Sequence, residues 1–297
     1  MSAGAATVTA DSTRDDGRGP AGFALHRVSD HGYTWLRVAA LVVITAIVLV
    51  PIGAVMLLAL GSGVGGGRHS FPTLANFTNI FNNTDIVLWL ENSLLVTGAT
   101  VIASVVIAAP AGYVVSRSRS RLVGWYSLSL FLVQTLPVIT AVIPLFVLFS
   151  KVHLVDSLTG LAIVYVGQAV SVAIWMMASY MDSIPVALEE AAWIDGASVF
   201  GGFVRIVLRN SLPGVLSSAI FTFLVAWSDY LVVTVFIRSS SHYLLPLGIE
   251  TFFAHDFIQW GPVMAAAVVM MLPVIIIFVA LNRFFSVGGI GGSLAGQ

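Results

Sequence analysis

Uninterrupted apolar runs at about 35–60, 89–115, 123–150, 158–181, 213–237 and 261–284 constrain this chain more than any other feature. At a rise of about 1.5 Å per residue, each is long enough to cross a hydrocarbon core of about 30 Å. No water reaches backbone N–H and C=O groups there, so a spanning segment is either a helix or a strand of a closed barrel. Barrel strands alternate in polarity over about ten residues, whereas these runs are continuous. The expected fold class is all-α, a polytopic membrane protein with about six transmembrane helices. Composition agrees, with 58% hydrophobic and 9% charged residues, against about a quarter charged in soluble domains.

Several functions are excluded at once. The formal net charge of -1 leaves no basic excess to cover a phosphate backbone, so nucleic acid is not a partner. With no cysteine, disulfides, thiolate metal sites and cysteine nucleophiles are ruled out. His26, His31, His69, His153, His242 and His255 are scattered, and none pairs at the i, i+4 spacing of a helical metal site. The single lysine, Lys151, follows Phe149 and Ser150 instead of a glycine loop, so the chain has no phosphate cradle of its own. It carries no catalytic residues, and it is not expected to hydrolyse ATP itself.

Charge distribution sets the expected topology. Six spans place both termini on one side, which collects Arg14, Arg18, Arg27, Arg37, Arg117, Arg119, Arg121, Arg205, Arg209 and Arg283. The other side holds only Arg68, Lys151 and Arg238. The positive-inside rule makes the first side cytoplasmic. Residues 1–34 read as a disordered cytoplasmic tail, 35–285 as the transmembrane domain, and 286–297 as a glycine-rich cytoplasmic tail. On the outside, Asn76 and Asn82 head formal glycosylation triplets of a kind common by chance.

One cytoplasmic stretch is out of character. "EEAAWIDGASVFGGFVRIVLRNSLP", residues 189–213, carries acids, arginines and glycines between two apolar runs. Ser183 is an N-cap candidate and Pro185 suits a first helical turn. Gly196 falls where a helix stops in the left-handed conformation. A second helix is expected from near Ala197 to about Asn210, with Phe203, Ile206 and Val207 on its apolar face. A connector resting on lipid headgroups would explain the apolar faces. Small residues Ala191 and Ala192 beside two carboxylates suit a socket on a protein partner better, because an anionic inner leaflet repels acids.

The same stretch resembles the signature loop of ABC importer membrane subunits, E-A-A-x-x-D-G-A, five variable residues, then F-x-x-I-x-L-P-x-x-x-P. Glu190, Ala191, Ala192, Asp195, Gly196, Ala197, Phe203, Ile206, Leu208 and Pro213 match, and Arg209 stands where the family usually has proline. The similarity extends from about residue 36 through "FPTLANFTNIF", "NSLLVTGATVIASVVIAAPAGYVVSRSRS", "LPVITAVIPLFVLFSKVHLVDSLTGLAIVYV" and "WSDYLVV" to the C-terminal "SVGGIGGSLAGQ". It is nearest the maltose-type carbohydrate branch, of the second-permease type. Ser228 replaces a frequent asparagine and Ser171 a frequent proline, which points to a straighter fourth span.

The resemblance implies a type I importer membrane domain in a bacterial cytoplasmic membrane, moving a di- or oligosaccharide. The implied partners are a second permease subunit, two ATP-binding subunits that hold ATP and Mg, and an extracytoplasmic solute-binding protein. It further implies that the loop at about 183–212, with Glu189 and Glu190 through Leu208, is the coupling element that enters the ATP-hydrolysing subunit. Glycerophosphodiesters or another polar solute are the rival cargo within the class, and an ion-coupled secondary transporter is the rival outside it.

Polar residues within spans are the remaining candidates. An acid there costs about 2.5–3.5 kcal/mol, so Asp229 either lines the translocation path or is paired structurally. Trp227 and Tyr230 beside it offer ring faces of the kind that cover a sugar. Asn92, Gln134 and Gln168 complete the candidate path, with interhelical hydrogen bonding as their alternative role. Ala103, Ala108, Ala109 and Gly112 are expected to let helices approach closely.

Overall fold

The computed structural model describes residues 31–61, 71–253 and 258–289, and all regular structure among them is helical. The N-terminal tail expected up to residue 34, the glycine-rich segment after the first run and the end of the C-terminal tail lie outside these residues, although 31–34 and 286–289 already belong to helices. Two compact units are distinguished, up to Pro51 and from Ile52 onward. The first, among its described residues, is the greater part of helix α1 (His31–Ala59).

The second unit is built on three helices. Helix α3 (Ile86–Arg117) packs along α6 (Leu158–Asp182), and α9 (Leu212–Trp227) packs on both. Ser104, Ala108 and Gly112 of α3 are buried at four-residue intervals, on the face toward Ala173, Ile174, Met177 and Ala178 of α6. A Cβ on Gly112 would come 2.7 Å from Met177 Cβ and 3.1 Å from the Ile174 carbonyl. The absent side chain is therefore what sets the helix separation. Ala108, Ala109 and Gly112 thus pack as expected from sequence, whereas Ala103 is only half-buried.

Among the described residues, four helices are long and apolar enough to cross a membrane, Trp35–Ala59, Ile86–Arg117, Leu158–Asp182 and Trp260–Leu281, and two bent pairs raise the number to as many as six. The run expected at 123–150 is not one straight span. Helices α4 (Arg121–Thr135) and α5 (Val138–Lys151) meet at 98°. The break has a local cause. Leu136 precedes Pro137, whose ring disfavours the helical region for its neighbour, and both residues are extended, with ψ of 125° and 130°. The α4 arm lies against α6 through the stacked rings of Phe131 and Trp175, 5.6 Å apart.

The run at 213–237 is broken as well, between α9 and α10 (Leu231–Phe236). By contrast α6 runs unbroken through Ser171, where a proline would have interrupted it. On the side expected to be extracytoplasmic, α2 (Ala75–Asn83) and α11 (Leu245–Glu250) cap the ends of the long helices, and α12 (Trp260–Gly289) completes the domain. Asn76 is buried there and donates to the Ala59 and Gly61 carbonyls at 2.9 and 2.8 Å. Its role is structural, and the glycosylation triplet it heads is not displayed.

A carboxylate ties two outer loops together. Asp156, with φ of 57°, receives the backbone N–H groups of Arg238 and Ser239, each at 2.9 Å, and the Ser239 hydroxyl. His242 Nδ1 lies 3.5 Å away. Partial burial works to raise the Asp156 pKa, but the Ser239 and Arg238 donors and His242 outweigh it and hold the carboxyl well below the usual range.

Two consequences are measurable. Gly112→Ala forces α3 from α6 and is expected to cost about 1–3 kcal/mol, read as a lower melting temperature of the detergent-solubilised protein. Because the folded pKa of Asp156 is depressed, its contribution is present above the unfolded value of about 3.9 and is lost as pH falls below it. The gap in melting temperature between wild type and Asp156→Asn should therefore be open at pH 7 and narrow below about pH 4.

Candidate functional site

The loop at about 183–212 forms a helix, a tight turn and a second helix. Helix α7 (Ala187–Ile194) starts without a side-chain cap. Ser183 does not cap it; the Ser183 hydroxyl instead donates back to the Tyr180 carbonyl at the end of α6, at 2.6 Å. Gly196, at φ 90°, makes the turn. Its N–H donates to the Trp193 carbonyl at 3.0 Å, and the Ala197 N–H to the Ala192 carbonyl at 2.9 Å. This pair of bonds closes a helix end on a left-handed residue, a conformation that strains any side chain.

The second helix, α8 (Val199–Asn210), starts two residues later than Ala197, because the Ser198 hydroxyl accepts the Gly201 N–H at 3.1 Å and caps it. Within α8, Phe203–Val207 is wound as a π-helical turn. The chain then bends by 74° into α9, although Arg209 occupies the usual proline position, and Pro213 sits in the first turn of α9.

The loop has distinct inner and outer faces. Phe203 and Val207 are buried in the cluster formed by Ala108, Ala173, Met177 and Met181, and the Phe203 ring lies 4.9 Å from that of Tyr113. Ile206, Leu208, Ala192 and Ala197 are half-buried. The helices touch where Gly202 meets Trp193; a Cβ there would come 2.9 Å from the indole nitrogen. Outward, Glu190, Ala191, Asp195 and Gly196 are exposed, together with Ile194 at 87% and Phe200 at 74%. The result is an apolar knob rimmed by two carboxylates, on a base seated in the core.

Glu189 does not belong to that rim. It is wholly buried, with its carboxylate against Arg117 at 2.7 Å and the Tyr113 hydroxyl at 2.8 Å. A turn of about 100° per residue sends adjacent helical side chains to different faces, so Glu189 and Glu190 part ways. Sequence reasoning passed over Arg117 and Tyr113 as site residues. Arg117 entered only as a topological charge, and 72 positions separate it from Glu189.

The expected path residues divide. Asp229 Oδ1 accepts from the Tyr165 hydroxyl at 3.0 Å and from the N–H groups of Val232 and Val233 at 2.8 and 3.4 Å, serving the free donors at the start of α10. Trp227 is buried and donates to the Met270 carbonyl at 3.1 Å. Asn92 is buried and donates to the Ser241 and Tyr243 carbonyls, both at 3.0 Å. Tyr230 is exposed. Only Gln134 and Gln168 meet, on the wall of one cavity of about 450 Å³ between the α4–α5 elbow and α6, where Gln168 Nε2 is buried without an acceptor.

Residues 108–287 match the family described as binding-protein-dependent transport system inner membrane component. The chain belongs to that family. It is 32% identical over 226 residues to the inner membrane ABC transporter permease protein YcjP of Escherichia coli strain K12, covering 75% of this chain and 81% of that protein. It is 29% identical to the trehalose/maltose transport system permease protein MalG of Thermococcus litoralis, over 76% of this chain and 82% of that relative's length. The fold matches a chain of a bacterial ABC transporter involved in the import of the acidic polysaccharide alginate, with a TM-score of 0.72 at 19% identity, over 87% of this permease and 98% of that chain. The permease thus has the type I importer membrane-domain architecture and is an integral membrane protein of a sugar-transport family.

Proposed function

We propose that this permease is one membrane subunit of an ATP-driven importer that moves a neutral di- or oligosaccharide across a bacterial cytoplasmic membrane. The observation that carries the reading is the outward knob of Glu190, Asp195, Ile194 and Phe200, on a base whose Phe203 and Val207 are buried in the core. An apolar tip with an acidic rim fits a cleft with basic edges on an ATP-binding subunit. Glu190, Ala191, Ala192, Asp195, Gly196 and Ala197 form the docking turn, and Phe203, Ile206 and Leu208 anchor it. Two such subunits hold ATP and Mg, a second permease subunit completes the path, and a solute-binding protein delivers the sugar. The arginine distribution supports placing both termini in the cytoplasm.

Nucleotide-driven closure of the ATP-binding subunits carries the docked knob with it, and the helices above change between inward and outward access. Both partners then bias one two-state element, which is what coupling demands. Apart from these two amides the Gln134 and Gln168 cavity is lined by apolar residues and has no charged side chain, which speaks against a phosphodiester cargo. The name of one relative points the same way, toward trehalose and maltose. Asp229 is spent on the start of α10, which weakens the case for an ion-coupled transporter with a mid-membrane acid relay.

The test is ATP-dependent uptake by the co-expressed complex in proteoliposomes, with its binding protein and labelled maltose, trehalose, maltotriose and alginate oligosaccharides. Wild type should accumulate at least one of these. Assembled Glu190→Ala and Gly196→Pro should lose uptake by about tenfold or more, the latter because proline cannot adopt a positive φ. Normal transport by both assembled variants would reduce the loop to a passive connector.

A further inference from the structure

The loop that carries the knob is fastened to one core helix by a buried ion pair. Glu189 Oε1 accepts from Arg117 Nε and Nη2, each at 2.7 Å, and Oε2 accepts from the Tyr113 hydroxyl at 2.8 Å. Arg117 is engaged on its other sides too. Nη2 donates to the Ile184 carbonyl at 3.1 Å and Nη1 to Ser116 Oγ at 3.0 Å, while the Ser116 hydroxyl donates to Asp182 at 2.5 Å. Separating a buried pair strands a charge away from water. The attachment therefore resists sliding, and α7 moves with the end of α3.

The opposite end of α3 is held as specifically. Asn92 bridges the Ser241 and Tyr243 carbonyls, and Ser93 Oγ accepts the Leu245 N–H at 2.8 Å. One turn away, Gly248 of α11 lies so close to Trp89 that a Cβ would come 2.2 Å from the indole ring. From Asn92 to Arg117 the helix rises about 37 Å at 1.5 Å per residue, more than the thickness of a hydrocarbon core. The covalent route out of the loop is less direct. It turns by 74° between α8 and α9, and α9 ends at Trp227, whereas α3 is continuous throughout.

We infer that α3 is the mechanical link between the cytoplasmic coupling loop and the extracytoplasmic segment 239–250, with Glu189–Arg117 and Asn92 as the positioning contacts at its two ends. This rests on the importer reading, which assigns each end its side of the membrane. A solute-binding protein docked over segment 239–250 biases α3 from outside, and the ATP-binding subunits bias it from inside through α7. Glu189 is on this account a fastening of the loop and not a contact with the ATP-binding subunit.

The complete complex in lipid nanodiscs tests the link. The readout is the ratio of ATP hydrolysis with and without its binding protein, loaded with the sugar that the uptake panel selects. Glu189→Gln and Asn92→Ala should each lower that ratio about tenfold, and the double variant should lower it no further, because both interrupt one line. Tyr113→Phe removes a donor without stranding a charge, so it assembles and should lower the ratio by a smaller factor, about threefold. A role confined to local stability would lower the yield of complex and leave the ratio alone. Ratios within about twofold of wild type in the assembled single variants overturn the link, as does a double variant whose loss is the product of the two single losses. If Glu189→Gln does not assemble, Tyr113→Phe and Asn92→Ala decide by the same comparison. A wild-type complex that the loaded binding protein fails to stimulate overturns the importer reading, and the link with it.

Discussion

Close approach of α3 and α6 is the contact on which the rest of the domain depends. In a bilayer, lipid tails solvate leucine as well as a neighbouring helix does, so helices associate through tight packing and polar contacts. Ser104, Ala108 and Gly112 supply a smooth stripe for the first, and Met177 and Ala178 lie directly on it. The third helix, α9, lies in the groove of this pair, with a Cβ on Gly214 excluded by the Tyr180 ring at 2.6 Å. The inner face of the loop formed by α7 and α8 is seated on one end of the same assembly, through Phe203 and Val207.

Helix breaks explain the polar residues within the apolar runs. Every break frees backbone groups that lipid cannot satisfy, and in this permease side chains meet that need. Asp229 serves the start of α10, and Asn92 holds the carbonyls of Ser241 and Tyr243 in the irregular segment after it. Residues that look like a substrate path in one dimension are mostly the fasteners of a discontinuous scaffold. Gln134 and Gln168 differ because they face a cavity rather than a loose backbone end.

The outer loops follow the same economy of polar groups. Asp156 gathers the Arg238 and Ser239 amides, and the guanidinium of Arg238 lies 5.6 Å from the Phe146 ring centre. Together with Asn92 and Ser93 these contacts hold the segment after α10 against α3, α5 and α6. Segment 239–250 is therefore continuous with the core rather than a free loop.

Much of the scaffold was legible in one dimension because it follows from local chemistry. Apolar runs must become helices in lipid, small residues at four-residue intervals permit close contact, and Gly196 is needed where the backbone turns left-handed. The bend at Leu136–Pro137 also has a local cause, but its 98° angle depends on how α4 meets α6. Tertiary structure alone decided which of two adjacent acids is exposed. Glu190 is exposed and Glu189 is buried because Arg117 and Tyr113, more than seventy residues earlier, stand beside only one of them. Sequence determined the elements and the turn, since those depend on neighbours along the chain. Their fastenings were settled only in the folded protein, because a hydrogen bond between distant residues leaves no periodic mark on either segment.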